Sequence, residues 1–551
     1  MTKQSKVLII SGGLLSSQET SFWEVGKRLL MQWRHSQAAW LDLKVKLVVA
    51  EPLVYQSVYR LPKELAQLSK NLVIQEATGI ETPNLTEVVL STLLEKLGMP
   101  FELLHIDSLF SEPQKAQDLL ERCECVFLST TYLHDLSELD PILKRIKTPH
   151  NRVIVGGALS GILADNWEGS EEIDLVAVGS GELIYENIVT WIRSGYQEVP
   201  PPSKGQIISK KHSLFLYSGE LASDRSLDFL PTPDWRLAEK YHQTQYKTIH
   251  YESVRGCPYR CAFCNYPYLF NESRFRYKSA EKMYSEWEFY AKETGAETIV
   301  CLDSLFTIPR ERLVAFCKLL IKNKLDLRWS CYARTDDLAQ ENIVALMKEA
   351  GLQSVQIGLE SGSPQILKNM RKSTKVEYGK QALRNCRKHG VMTATSIIVG
   401  FPGETEATLE ETYQFLKESQ PDFYFLALFS TRVTSVPILN PSNRKKFGIS
   451  VMENRHSMAP YWTHASMSCL EAMNHLRSLD HKLMKNQISL NAALFYRYMS
   501  DFDLSYRDAL LKQQKYIIER PKKLRRLFDK ANAWIDKHLE KDLSQWQGTL
   551  K

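Results

Sequence analysis

Three of the ten cysteines fall within eight residues, Cys257-Pro258-Tyr259-Arg260-Cys261-Ala262-Phe263-Cys264. Thiolates are soft ligands suited to iron–sulfur clusters or zinc. A loop with CxxxCxxC spacing can wrap one face of a four-iron cube and ligate three corners, leaving the fourth iron open to a substrate or cofactor. A structural zinc ion instead takes four protein ligands, usually as paired CxxC or CxxC with HxxxH. No such second pair follows, since Cys301, Cys317, Cys331, Cys386 and Cys469 stand singly. These five, with Cys123 and Cys125, are expected to pack as small hydrophobes.

Further polar groups recur where apolar runs end. Asp303 follows residues 298–302, Arg334 follows 327–332, Glu360 follows 354–359, and Val399-Gly400-Phe401-Pro402-Gly403-Glu404-Thr405 closes 395–399. A carboxylate suits a cationic amine and a guanidinium suits a carboxylate, although a surface ion pair is an equally ordinary role for Arg334. Glu404 and Thr405 suit the charge and cap of a helix N-terminus and are assigned no ligand.

Elements must hold these groups in place. Residues 248–254, 298–302, 327–332, 354–359, 395–399 and 422–428 are expected as strands alternating with helices, six βα units of a partial (β/α)6 barrel over 246–440. Its chemistry should lie at the C-terminal strand ends. Residues 1–200 show the same alternation, with strands at 6–10, 44–50, 101–106, 125–129, 152–155 and 175–178 and helices at 19–33, 87–97, 114–122, 136–146 and 181–192. That pattern predicts a Rossmann-like, doubly wound domain; residues 51–84 fit it poorly and suggest an insertion. Val199-Pro200-Pro201-Pro202 and Leu230-Pro231-Thr232-Pro233-Asp234-Trp235 bracket a linker, 201–245. Residues 441–551 are expected to be helical, with Tyr461-Trp462-Thr463-His464 suited to lining a mostly apolar pocket and His464 equally suited to plain packing. The fold class is therefore α/β throughout, ending in a helical region.

Composition bounds the rest. A chain of 551 residues with 44% hydrophobic and 24% charged content can bury enough surface to fold in several units, which excludes a disordered protein. The net charge of +6 is too weak a field to predict a nucleic-acid partner. Lys522-Lys523-Leu524-Arg525-Arg526, near Asp529, Asp536 and Glu540, reads as a solvated helix face rather than a phosphate contact. The apolar run 7–10 is too short for a signal peptide, and no stretch approaches the ~18–20 apolar residues of a membrane span. With sparse cysteines, a cytoplasmic protein is expected.

The cysteine loop after the first barrel strand, with aromatic Phe263 before its last thiol, resembles the radical S-adenosylmethionine (SAM) superfamily over roughly residues 245–440. The resemblance implies a [4Fe–4S] cluster on Cys257, Cys261 and Cys264, with SAM chelating the open iron and an electron from the cluster cleaving it to a 5′-deoxyadenosyl radical. It further implies SAM contacts from Phe263 and Phe401 to adenine, from Asp303 and Glu360 to the amino and ribose ends, from Arg334 to the carboxylate, and from Ser361 in the Gly-x-Glu-Ser-Gly segment. Flavodoxin or ferredoxin would donate the electron.

The first domain resembles, in Val153-Ile154-Val155-Gly156-Gly157-Ala158 and in 174–182, the closing half of cobalamin-binding domains fused to such barrels. This implies cobalamin contacts from Ser129, Thr130, Thr131, Tyr132, Gly156, Gly157, Ala158, Gly179, Gly181 and Glu182; tight turns and a capped strand end are the plainer roles. The GxGxxG fingerprint of NAD sites is missing. So is the DxHxxG motif, since Ser11 to Thr20 contain no histidine. Cobalamin is therefore expected without a protein imidazole, or the domain has lost it; His105 and His134 are read as core or surface residues. The resemblance implies a cobalamin-dependent radical SAM methyltransferase acting on an unactivated carbon, less often phosphorus, of a peptide or natural-product precursor. Two alternatives stay open: a radical rearrangement, epimerisation or cyclisation, and a non-catalytic iron–sulfur or zinc protein.

Overall fold

The computed structural model describes residues 6–12, 39–58, 84–133, 136–219, 226–268, 274–431, 433, 435–452, 461–495 and 504–549. The expected helix at 19–33, His134, most of the loop after the first strand and most of the suggested insertion lie outside the described residues. The chain forms two compact units that are not continuous in sequence: 1–24, 81–258 and 265–298 make the first, and 25–80, 259–264 and 299–551 the second.

The first unit is built on seven strands, β1 (Val7–Ser11), β2 (Phe101–His105), β3 (Cys125–Ser129), β4 (Arg152–Gly156), β5 (Leu175–Val178), β6 (Gln206–Ser209) and β7 (Leu214–Tyr217), in the order β2-β1-β3-β4-β5-β7-β6. All neighbours are parallel except β6 against β7. Alternation of side chains across each strand sends Leu8, Ile10, Val126, Leu128, Val153 and Val155 into one core and Val7, Ile9, Cys125, Phe127 and Ile154 into another. Both faces are therefore covered, which is why these strands read as unbroken apolar runs. The sheet does not stop at the Pro-rich stretch: β6 and β7 lie beyond it, inside the segment expected as a linker. After β8 (Thr248–Tyr251), β9 (Val254–Arg255) pairs antiparallel with β10 (Arg276–Tyr277). Buried Glu286 ties this region together, accepting from the Tyr251 hydroxyl at 2.5 Å, Lys278 Nζ at 2.8 Å and Thr232 Oγ1 at 3.2 Å.

In the second unit β11 (Thr298–Cys301), β12 (Arg328–Ala333), β13 (Leu352–Glu360), β14 (Met392–Val399) and β15 (Phe423–Leu428) follow one another in sheet order, and a short β19 (Leu490–Asn491) adds to β15. The pairs from β12 through β19 are parallel, and the alternation expected from the sequence is present. The C-terminal region is not wholly helical. Between them, β16 (Ser450–Val451), β17 (Trp462–His464) and β18 (Met467–Ser468) form a small antiparallel sheet.

One expected strand is a helix. Residues 44–50 lie inside α1 (Ala39–Val58), which packs on α2 (Cys469–Lys485), α3 (Arg507–Glu519) and α4 (Lys522–Thr549) of the second unit. The β-branched residues suggested a strand, but Leu41, Lys44, Val48, Glu51 and Tyr55, spaced by three and four, are all buried, and that is a helical face. Two of them are charged. Lys44 Nζ donates to Asp536 at 2.7 Å, and Glu51 receives both Arg477 nitrogens at 2.7 and 2.8 Å and the Tyr55 hydroxyl at 2.5 Å. Burial works to raise the Glu51 pKa, yet the bonds from Arg477, His481 and Tyr55 together outweigh it and hold the carboxyl at about 2. Removing the guanidinium alone leaves that carboxylate buried with weaker compensation. Arg477→Met is therefore expected to destabilise the second unit by about 3–5 kcal/mol in urea unfolding, and Glu51→Gln placed on top of it to recover part of the loss. A single variant within about 1 kcal/mol of the parent would show that the pair is not holding α1.

Candidate active site

The cysteine loop is held by its own backbone. Ala262 is fully buried, its N–H donates to Met370 O at 2.7 Å, and its carbonyl accepts from Ile438 N at 2.9 Å. Tyr259 lies beneath the Arg334 guanidinium, 3.8 Å from ring centroid to Cζ. Phe263, next to the clamped alanine, meets Phe401 edge-on at 6.4 Å and has Lys372 Nζ 5.6 Å above its ring. Lys372 in turn pairs with Glu360 at 2.8 Å, both side chains largely buried. Of the residues expected at the SAM site, the fold thus brings Phe263, Glu360 and Phe401 together, with Lys372 between them. Glu360 ends β13 in the left-handed region, φ 66°, a conformation that costs a non-glycine residue about 1–3 kcal/mol and clusters at functional sites. A Cβ on Gly358 would stand 2.7 Å from Glu360 Oε1 and 3.0 Å from Lys372 Nζ, so glycine there leaves room for the pair.

The other expected SAM residues are placed differently. Arg334 is buried, with Nε on Asp336 at 2.9 Å and a terminal nitrogen on the carbonyls of Lys372 and Ser373 at 2.8 and 3.1 Å. Its head fastens the segment carrying Lys372. Ser361 turns toward the helix Glu406–Ser419, its Oγ 3.2 Å from Thr412 Oγ1, and accepts from Ser363 N at 3.1 Å. Asp303 is 1% exposed beyond β11.

The turn after β14 rests on residues whose roles sequence reasoning missed. Gly400 has φ 87°, and a Cβ there would stand 2.6 Å from Ala472 and 2.8 Å from Trp462. Its N–H donates to Glu404 Oε2 at 2.5 Å, and its carbonyl faces His464 Nε2 at 3.1 Å. Thr405 caps the following helix as expected, but Glu404 bends back into the turn and is 1% exposed. Tyr461, Trp462 and His464 are buried too, which corrects the expectation of a pocket lining for Tyr461 and Trp462 and leaves His464 in its alternative packing role: Trp462 donates to Phe429 O at 3.0 Å and stacks on His464, planes 7° apart. Burial lowers the His464 pKa, so the ring is neutral. Nδ1 faces Ser466 N and Met467 N at 3.3 Å each, which makes it the acceptor and leaves Nε2–H to donate to Gly400.

The donor chemistry fits a cluster. All ten cysteines are free thiols, and the seven outside the triplet are buried. Burial pushes those seven thiols up, Cys123 to about 11 and Cys317, Cys386 and Cys469 to about 12, so they stay protonated and inert. Cys261 is buried, and Cys257 and Cys264 are half-buried. Among the described residues no three His, Cys, Asp or Glu side chains converge as a single metal ion requires.

In the first unit, the C-terminal ends of β3 and β4 meet. Thr130 Oγ1 donates to Gly156 O at 2.8 Å and accepts from Ser160 N at 3.2 Å, and Ser129 Oγ lies 3.1 Å from Thr131 Oγ1. Gly157, φ 107°, has no space for a Cβ, which would fall 2.8 Å from Thr131 Oγ1. Ala158 opens the short helix that follows. Tyr132 is 44% exposed, and Gly181 faces open space. Gly179 has φ 96°. Glu182 is engaged by Arg255 at 3.0 and 2.5 Å; burial opposes the pairing, but the guanidinium keeps the carboxyl below its ordinary range. The His105 ring lies over Gly12, where a Cβ would fall 2.1 Å from Nε2.

Known proteins resemble this chain in sequence and in fold. Residues 251–416 match the radical SAM superfamily. The anaerobic magnesium-protoporphyrin IX monomethyl ester cyclase of Rubrivivax gelatinosus is 30% identical over 264 residues, 47% of this chain and 47% of that protein. The chain spans about half the length of the curated relatives it matches. Its fold is that of the radical SAM methyltransferase TsrM from Kitasatospora setae with tryptophan substrate and a SAM analogue bound, TM-score 0.57 at 16% identity over 81% of this chain and 96% of that one. It is likewise that of the cobalamin-dependent SAM radical enzyme OxsB with aqua-cobalamin and SAM bound, TM-score 0.58 at 16% identity over 79% and 70%. No described helix is long and apolar enough to cross a membrane.

Glu404 supplies a pH test. Burial pushes its carboxyl up to about 7, from an ordinary 4.5, so between these values the folded chain holds a proton that the unfolded chain releases. Stability from this group is full below about 4.5 and is lost as the pH rises through 7. The difference in melting temperature between the parent and Glu404→Gln should therefore shift against the parent from pH 5 to 8. Parallel curves would remove Glu404 from the turn's titration.

Proposed function

We propose that the chain is a cobalamin-dependent radical SAM methyltransferase acting on an unactivated carbon of a peptide or natural-product precursor, working in the cytoplasm with a flavodoxin- or ferredoxin-type electron donor. The observation that carries this is the clamp on Ala262, which sets the cysteine loop and Phe263 beside Glu360, Lys372 and Phe401. When bound, a [4Fe–4S] cluster supplies the electron that cleaves SAM, and cobalamin supplies the methyl group. Cys257, Cys261 and Cys264 would hold the cluster. Phe263 and Phe401 offer an apolar slot for adenine, Glu360 and Asp303 offer carboxylates to the amine and ribose, and the buried aromatic packing around Gly400 keeps water from the turn. Arg334 acts at one remove, positioning Lys372. In the first unit, Ser129, Thr131, Tyr132 and the glycines at 156, 157, 179 and 181 would receive cobalamin, while Thr130 and Glu182 hold the strand ends in shape.

Replacing Cys257, Cys261 and Cys264 with Ala together should abolish the visible cluster absorption and SAM cleavage after anaerobic reconstitution. A triple variant that retains about four irons per chain would overturn the assignment. For cobalamin, the cobalt(II) resonance spectrum is read with cobinamide, which lacks the nucleotide base. No nitrogen splitting is expected; splitting would mean a protein imidazole, and His105 is the residue to replace first. The cyclase among the relatives favours one second reading, a radical cyclisation without methyl transfer. Product stoichiometry separates the two, because methyl transfer yields S-adenosylhomocysteine alongside product and cyclisation does not.

A further inference from the structure

A cavity of about 450 Å³ opens where the end of α2 meets the junction of α3 and α4. Its wall carries His481 and Lys485 from α2, Arg520 from the junction, and Lys522 and Arg525 from the first turns of α4, against the single acid Glu519. It is remote from the proposed chemistry. Ala472, near the start of α2, packs under Gly400, whereas Lys485 is thirteen residues further along the same helix, about 20 Å at 1.5 Å per residue. The neighbouring Met484 belongs to the core around Met392, the first residue of β14, so the cavity lies toward the opposite end of the strands.

The charges here are not balanced from within. Two other cations of the second unit have acids: Lys44 has Asp536, and Arg477 has Glu51 and Asp529. His481 faces Glu51 at 3.3 Å. Among the described residues, the exposed Lys485 and Lys522 and the half-buried Arg525 have no ion-pair partner, and of the Arg525 guanidinium the Nε is shut off from solvent without a hydrogen-bond acceptor. Arg520 lies over the Tyr516 ring at 5.4 Å. A buried donor left unmatched ordinarily marks an absent acceptor. The N-terminal end of α4 adds its positive dipole to the same space.

We propose that this cavity is a binding site for a compact polyanion, a phosphate- or diphosphate-bearing small molecule, with Arg525 and Lys522 as its principal contacts and Lys485 and Arg520 closing around it. The volume suits a small ligand, and the donors, two of them guanidinium forks, match phosphate oxygens. This site is independent of the radical chemistry proposed above. It also revises the reading of Lys522-Lys523-Leu524-Arg525-Arg526 as merely a solvated face.

The test is calorimetric titration of the full chain with inorganic pyrophosphate at fixed ionic strength, with orthophosphate as a second arm. One saturable site is expected, tighter for pyrophosphate if the cavity takes a diphosphate and equal if it takes a single phosphoryl group. Arg525→Gln should weaken binding at least tenfold, while Lys530→Gln, an exposed charge on the same helix, should leave it unchanged. Without ligand, Arg525→Gln should melt no lower than the parent, since it relieves repulsion among like charges; with pyrophosphate only the parent's melting temperature should rise. Absence of saturable binding, equal affinity in Arg525→Gln, or equal loss in Lys530→Gln would each overturn the proposal.

Discussion

The arrangement of the candidate site hangs on one small residue. Ala262 is fully buried and has no free backbone group, because its amide and its carbonyl are both committed to segments more than a hundred residues away in sequence. With that peptide fixed, Phe263 has a defined position, and Phe401, Lys372 and Glu360 take theirs around it. Arg334, braced on Tyr259, then ties the Lys372 segment to the same loop. A loop that must present thiols to an inorganic cube benefits from such fixing, since ligands held in place before binding pay less ordering entropy when the cube arrives.

The turn after β14 solves a related problem differently. Gly400 sits where Ala472 and Trp462 leave no space for a side chain, and its two backbone groups are taken by Glu404 and His464. A neutral imidazole donating to a carbonyl and a carboxyl accepting from an amide keep the turn satisfied without bringing in water, which a buried strand end otherwise requires. The C-terminal sheet carrying Trp462 and His464 thus supports the turn.

The α/β alternation was legible because parallel strands covered on both faces are apolar throughout, and residues such as 7–10 and 125–128 carry no competing signal. The cysteine triplet and Glu360 were legible because their chemistry is tied to spacing along a short segment. Lys372 and His464 were not, since they find their partners 12 and 64 residues away through folding, and Glu404, whose partner Gly400 is only four residues back, looked like ordinary helix-start charge. Arg334 was visible, but a guanidinium at a strand end looks the same whether it faces a ligand or two carbonyls. The misreading of 44–50 has another cause. Val, Leu and Lys there alternate well enough for a strand, and only the positions of Lys44, Glu51 and Tyr55, polar residues that a search for apolar periodicity passes over, mark the helical face.

That helix has a consequence for synthesis. Its partners are 426 residues away at Arg477 and 492 away at Asp536. At translation rates of about 5–20 residues per second, α1 leaves the ribosome roughly 20–90 s before anything exists to cover it. During that interval its apolar face, Lys44 and Glu51 are in water, where the two charges are at no disadvantage and keep an otherwise sticky segment soluble. The same ionic groups that demand exact partners in the finished protein therefore serve as protection for the nascent chain, and a variant that replaced them with leucines would gain nothing on the ribosome while inviting aggregation before the C-terminal helices arrive.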